Sequence, residues 1–255
     1  MTLTIRRWAH RLTRTSRDPL RFCKHLLKES FMKGVRLHHP AKAVRISRDE
    51  SGEMSAIRIS HSTGADLKIP CTRLLIAAGA WTPSVFSTLF PEAKTEIPID
   101  KLAGHSLVVR SPRWTAEMEA KGCHAIFTTM SDGLSPEAFS RTGGEIWIGG
   151  VNDSSTPLPA EAADAKVDRK SADRLMGVAR QLLGKEGVDD LEVVREGVCF
   201  RPVTDWGQPV LARVQDAELG AIETRAGADG GVFVAAGHGP WGISLGPGTG
   251  KVMVS

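Results

Sequence analysis

Apolar positions fall into three patterns along the 255-residue chain. Near the start, Asp18-Pro19 reads as a helix opening, a capping carboxylate followed by proline at the first helical position. Leu20, Cys23, Leu26, Leu27 and Phe31 then recur at helical spacing, and Gly34 ends the run. Short strands are predicted around Val35 and Leu37 and around Ala43, Val44 and Ile46. Asp49 to Gly52 is a polar hairpin turn. Ala56, Ile57 and Ile59 lead down one strand, and Ala65, Leu67 and Ile69 return on the next. Thr72 to Gly79 is an unbroken apolar run ending in glycine, which predicts a strand buried on both faces, as in parallel sheets. Ala80 to Leu89 reads as a short helix.

From about Ile97 the style changes. Ser106–Arg110, Ala125–Thr128 and Glu145–Gly149 are short strands separated by Gly, Ser and Pro, the pattern of an antiparallel sheet. One amphipathic helix, about Asp168 to Leu183, interrupts it, with Ala172, Leu175, Met176, Ala179, Leu182 and Leu183 as its core face. The first style returns at Gly231–Gly237, a second apolar strand ending in glycine. The implied fold class is α+β. An α/β-like half is drawn from residues 1–96 and 200–255, and an antiparallel half spans 97–199.

Composition narrows the function classes. The formal charge is +4, with Lys and Arg scattered singly, so no nucleic-acid face is expected. Cys23, Cys71, Cys123 and Cys199 form no CxxC pair, and His38, His39 and His105 have no partner at ligand spacing. Metal is therefore not expected. Reduced thiols and an intracellular protein are, in the cytoplasm ahead of the mitochondrion or peroxisome. No apolar stretch is long enough for a membrane span. Residues 1–17 carry Arg6, Arg7, Arg11, Arg14 and Arg17 and no acid. They read as a mitochondrial presequence or as a tail from a misplaced start codon, the second being favoured. The chain contains no Tyr, which removes phenolic acid–base chemistry.

Two segments carry the chemistry: Leu74 to Pro83 and Val234 to Gly250. Each runs strand, glycine turn, helix start. Ligands of open α/β sheets bind beyond the carboxyl ends of the strands, where glycine admits close backbone approach and a helix start offers N–H donors. An anionic or electron-rich ligand edge suits such a place.

The wording AAGAWTP, then CFRPVTDWGQP, then VFVAAGHGPWGISLGPGTGK, in that order, resembles the D-amino-acid oxidase, glycine oxidase and sarcosine oxidase superfamily of FAD-dependent oxidoreductases. DPLRFCKHLLKE followed by GVRLHHPAKAVRI resembles it too. The resemblance runs from about Asp18 to Val252. It implies FAD as cofactor and an amine or amino-acid substrate, oxidised at the C–N bond by hydride transfer to flavin. It places Gly79, Ala80, Trp81, Gly237 and Gly239 beside the flavin ring. The backbones of Gly242, Ile243 and Ser244 would face the ring's pyrimidine carbonyl, and the backbone near Ala43 would face the adenine. His238 orients its turn or approaches the flavin; a turn histidine bonded to backbone is the alternative. Arg201 matches a position that can hold the substrate carboxylate, with pairing to an acid such as Asp205 as the other reading. Cys199 matches the neighbourhood where some members attach FAD covalently, against the plain reading of a small core residue. Trp206 and Trp241 are pocket walls or core.

The sequence departs from the family pattern in two respects: no GxGxxG fingerprint precedes Asp18, and the last helix is cut early by Ser255. The expectation is a truncated gene model or a remnant, with apolar strand faces left open and tight FAD binding by this chain in question. Two further readings stand beside it, a non-catalytic binding protein and a dehydrogenase feeding an acceptor other than oxygen.

Overall fold

The computed structural model describes residues 4–6, 19–61, 64 and 66–254. The proposed cap at Asp18, the remaining basic residues up to Arg17 and the strand position Ala65 lie outside the described residues. In chain order the elements are β1 (Thr4–Arg6), α1 (Pro19–Met32), β2 (Ala41–Arg48), β3 (Met54–His61), β4 (Asp66–Pro70), β5 (Arg73–Ile76) and α2 (Thr82–Leu89). Next come β6 (Asp100–Arg110), α3 (Ala116–Ala120), β7 (Ala125–Thr129), β8 (Glu137–Ser140), β9 (Glu145–Asp153) and α4 (Arg169–Leu183). The chain closes with β10 (Glu192–Val203), β11 (Val210–Val214), β12 (Gly231–Ala236) and α5 (Gly242–Val254). The mixture is an α+β fold. The chain divides into two compact units, residues 1–22 with 102–200 and residues 23–101 with 201–255.

The first unit is built on a six-stranded sheet in the order β1-β7-β8-β9-β6-β10. Alternation along the strands separates its two faces. Leu107, Val109, Ala138, Ile146 and Ile148 form a buried cluster with Leu175, Val178 and Ala179 of α4. That helix is capped as its sequence requires: the Asp168 carboxylate accepts from Ser171 N at 2.8 Å. Its buried stripe includes Val178, which the sequence pattern missed, while Met176, Leu182 and Leu183 are only partly buried at the stripe's margins. His105 on β6 is buried, with neither ring nitrogen hydrogen-bonded.

The second unit has two three-stranded sheets, β11-β12-β5 and β2-β3-β4. Val232, Val234 and Ala236 of β12, Ile76 of β5, Met54 of β3 and Phe86 of α2 share its core. β12 and β5 run parallel, with Val232 opposite Leu74 and Val234 opposite Ile76. The expectation that β5 is buried on both faces is wrong. Leu74 and Ile76 turn inward, while Leu75 is 49% exposed. β5 is the outer strand in its sheet order, so only one of its faces meets the core. Val35 and Leu37 are not in a strand but in exposed chain before β2, with no ladder partner to hold them extended. The helix ending at Gly34 is as predicted. Gly34 has φ +85°, and Val35 N donates to Ser30 O at 3.1 Å, a left-handed C-terminal cap. α1 itself buries no residue; Leu20, Leu26 and Phe31 are exposed.

Candidate functional site

The two glycine turns predicted from sequence lie at the carboxyl ends of the adjacent parallel strands β5 and β12. They share one local conformation. Ala78 (φ −88°, ψ 19°) and His238 (φ −73°, ψ −5°) open the turns with negative φ and ψ near zero. Gly79 and Gly239 follow at φ +58° and +55°, where a side chain costs energy and glycine does not. A tryptophan closes each: Trp81 N donates to Ala78 O at 3.1 Å, and Trp241 N donates to His238 O at 3.0 Å. One turn of 3-10 helix then leads into α2 and α5 respectively. β12 runs two residues further than β5 before its turn begins.

Gly237 is required on two counts. Its φ is +87°, and an added Cβ would lie 3.0 Å from Thr204 Cγ2. His238 is tied down by its side chain, with Nε2 2.8 Å from Thr249 Oγ1 on α5. The alternative of a backbone-bonded turn histidine is therefore replaced by a side-chain partner. Thr249 and Thr204 are contributors that the strand and helix patterns could not reveal, because the fold alone brings them to the turn. Thr82, the first residue of α2, is fully buried and its hydroxyl has no hydrogen-bond partner among the described residues. Trp81 is partly buried; Trp241 is 62% exposed and Trp206 is exposed as well.

The start of α5 suits the donor role expected of it. The helix opens at Gly242, so the N–H groups of Gly242, Ile243 and Ser244 fall in the first turn, where no i−4 carbonyl serves them. Neither turn segment, 77–84 nor 235–250, contains an acid, so an electron-rich ligand edge meets no repulsion there. Gly242, Gly246, Gly248 and Gly250 add a further observation. None has positive φ, and an added Cβ at any of them meets nothing within 4 Å. The chain's own packing does not call for glycine there, although each costs about 0.5–1 kcal/mol of helix stability relative to alanine. Space kept free on a helix beside a ligand-type turn fits close approach by a flat group such as the flavin of FAD.

The other named residues are placed as follows. Ala43 is in β2, partly buried against the second unit's core and opposite Ile59. The ladder slips between Ala43 and Arg45, so Val44 is the bulged residue whose backbone is left out of the pairing. Arg201 and Cys199 sit two apart on β10, positions that share one side of a strand. Arg201 is partly buried and belongs to the second unit. Cys199 belongs to the first unit. It is an exposed free thiol whose Sγ lies 3.5 Å from Gly104 O. Ala43 and Cys199 are thus placed on elements other than the two turns that gather Gly79, Ala80, Trp81, Gly237, His238, Gly239 and the start of α5. No group of three or more His, Cys, Asp or Glu able to hold a metal occurs among the described residues. No helix among them is long and apolar enough to cross a membrane.

A family model described as FAD dependent oxidoreductase matches residues 6–255. A Schizosaccharomyces pombe protein, named only as an oxidoreductase, is 28% identical over 213 residues, 80% of this chain and 46% of its own length. Among solved structures, glycine oxidase from Geobacillus kaustophilus superposes with a TM-score of 0.59 at 21% identity, over 87% of this chain and 49% of that one. L-proline dehydrogenase from P. horikoshii gives 0.63 at 15% identity, over 92% and 54%. The chain therefore spans about half the length of the proteins it matches.

Proposed function

We infer from its membership that this chain, which belongs to the FAD dependent oxidoreductase family matched by residues 6–255, contributes to oxidising the C–N bond of an amino acid or secondary amine. The single observation that carries the reading is the pair of equivalent glycine turns on adjacent parallel strands, with a glycine-rich helix starting at one of them. Bound FAD supplies the acceptor for the hydride equivalent leaving the carbon beside nitrogen.

The chain's own residues divide the remaining work. The backbones of Gly79, Ala80 and Trp81 and of Gly237 and Gly239 hold the ring from the turns. The N–H groups of Gly242, Ile243 and Ser244 would face a carbonyl of the bound ring and, as fixed donors, would favour negative charge there, in the manner of an oxyanion hole. His238, fixed by Thr249, orients its turn or approaches the flavin. The Arg201 guanidinium binds a carboxylate with two parallel hydrogen bonds. Two structural neighbours are named glycine oxidase and L-proline dehydrogenase, and a small amino or imino acid suits one guanidinium anchor. Near Ala43 the bulged backbone of β2 is assigned to the adenine edge, and Cys199 is the candidate for a covalent flavin link, its exposure admitting reaction.

The test is a titration of the purified chain with FAD, read as the visible flavin spectrum before and after acid precipitation. Flavin retained by the folded chain, and weakened by bulky substitution at Gly242, is the expected result. Flavin that stays with the acid pellet assigns the link to Cys199, and a Cys199→Ser chain then releases it. Failure of the folded chain to alter the flavin spectrum at millimolar FAD overturns the reading for this chain. With flavin bound, anaerobic bleaching by amino acids followed by admission of air separates an oxidase from a dehydrogenase.

A further inference from the structure

The face of the β11-β12-β5 sheet turned away from the core carries an arrangement that the reading above does not use. Arg213 on β11 stands directly opposite Phe233 on β12, and Arg73 on β5 stands opposite Gly231. Residues opposite one another share a face, as do positions 231 and 233 along one strand. The Phe233 ring consequently lies between two guanidinium groups, with Arg73 Cζ 5.3 Å and Arg213 Cζ 5.9 Å from its centroid.

Gly231 makes this possible. At φ +138°, its missing Cβ would stand 2.8 Å from Phe233 Cε2 and 3.3 Å from Arg213 Nε. Any side chain there would push the ring off the strand and the guanidinium away from it. Arg213 is also held in place, donating to Gly227 O at 3.2 Å and to Thr224 Oγ1 at 3.3 Å. Thr224 is in turn fixed by the Asp216 carboxylate, which accepts from its N and its Oγ1, both at 2.9 Å. Arg73 makes no hydrogen bond or ion pair among the described residues, and no acid lines the cavity that both arginines enter. That cavity is about 440 Å³, and Leu211 and Val252 to Val254 at the end of α5 supply its apolar wall.

Two permanently charged guanidinium groups, neither in an ion pair among the described residues, on either side of an aromatic ring select for an anion carried on a flat apolar body. The volume matches a small molecule rather than a bare ion. We propose that this cavity is a second ligand site, specific for a small aromatic or alkyl carboxylate. The arginines pair with the carboxylate, and the Phe233 ring and the end of α5 cover the apolar part. It lies at the amino ends of β5 and β12, roughly 15–20 Å along the strands from the glycine turns. Occupancy of this site does not require that FAD or a substrate be bound, and the inference stands independently of the assigned reaction.

The experiment is calorimetric titration of the 255-residue chain, without added flavin, with three probes: 2-naphthoate, its neutral counterpart 2-naphthylmethanol, and inorganic phosphate. The expected result is that 2-naphthoate binds, and that Arg73→Gln and Phe233→Leu each weaken it tenfold or more. The alcohol and phosphate bind at least tenfold more weakly than the acid. Arg73→Gln breaks no intramolecular hydrogen bond, so an unchanged circular dichroism spectrum and melting temperature verify that it folds even if Arg213→Gln does not. The proposal is overturned if naphthoate does not bind, if the alcohol or phosphate binds equally well, or if binding is lost in Arg201→Gln and kept in Arg73→Gln.

Discussion

Gly237 and Gly242 lie five positions apart and answer to different constraints. Gly237 is bent to φ +87° against Thr204, so the fold itself needs it. Gly237→Ala is expected to cost about 1–2 kcal/mol, read as a lower urea midpoint. Gly242 has helical angles (φ −54°, ψ −41°) and open space around it. Gly242→Ala should gain about 0.5–1 kcal/mol in the same measurement while weakening flavin binding. A destabilised Gly242→Ala chain would remove the argument that this glycine is kept for a ligand. Both glycines were visible in the sequence as part of one motif. Their separate reasons were not, because a φ angle and the distance to Thr204 exist only in the folded chain. The same holds for the His238–Thr249 hydrogen bond.

At the scale of elements, α4 and α3 illustrate two kinds of attachment. α4 is held by burial. Leu175 is fully inaccessible, and Leu175→Ala is expected to cost about 2–5 kcal/mol by denaturant unfolding. Periodicity exposed this helix from about Asp168 to Leu183 and most of its core stripe, Val178 excepted, since local chemistry and tertiary packing agree there. α3, by contrast, is tied to the β8–β9 hairpin by Glu119, whose carboxylate accepts from Gly143 N at 2.9 Å and Gly144 N at 2.8 Å. These two backbone donors lower the Glu119 pKa below its ordinary 4.5. A depressed carboxylate contributes its stabilisation above the unfolded value and loses it as pH falls through the folded one. Amide protection at Gly143 and Gly144 should therefore fall in acid below the ordinary glutamate range. Glu119→Gln should leave it weak and independent of pH across that window. Protection unchanged by the substitution would mean the hairpin does not need the clamp. The failed expectation at β5 has the opposite origin to the success at α4. An apolar run states that a strand tolerates burial, whereas the position of the strand in the sheet decides which faces receive it.

On the scale of the whole molecule, α1 with the chain after it and the segment from Trp241 to the end of α5 are among the places where large apolar side chains are exposed. None of Leu26, Leu27 and Phe31 of α1 is buried. Replacing Leu26 and Phe31 with Glu and Lys should shift unfolding by less than about 0.5 kcal/mol. The same change should reduce concentration-dependent self-association in sedimentation. A large loss of stability would mean that α1 is packed in solution. The α+β class was legible from the change in hydrophobic pattern near residue 97, whereas the strands β8, β10 and β11 were not. The pairing of β11 with β12, and with it the two arginines flanking Phe233, was not, since nothing in a linear pattern relates position 73 to position 213.

The twin turns carry one further consequence, concerning handedness. At φ +58° and +55°, Gly79 and Gly239 adopt the backbone conformation natural to residues of mirror-image chirality. A chemically synthesised chain bearing D-alanine at both positions would settle into these turns without strain, while L-alanine would resist them. At these turns, as at Gly34 and Gly237, the backbone takes the opposite stereochemical sense to an ordinary helix, and the achiral amino acid lets ribosomal synthesis reach it without strain.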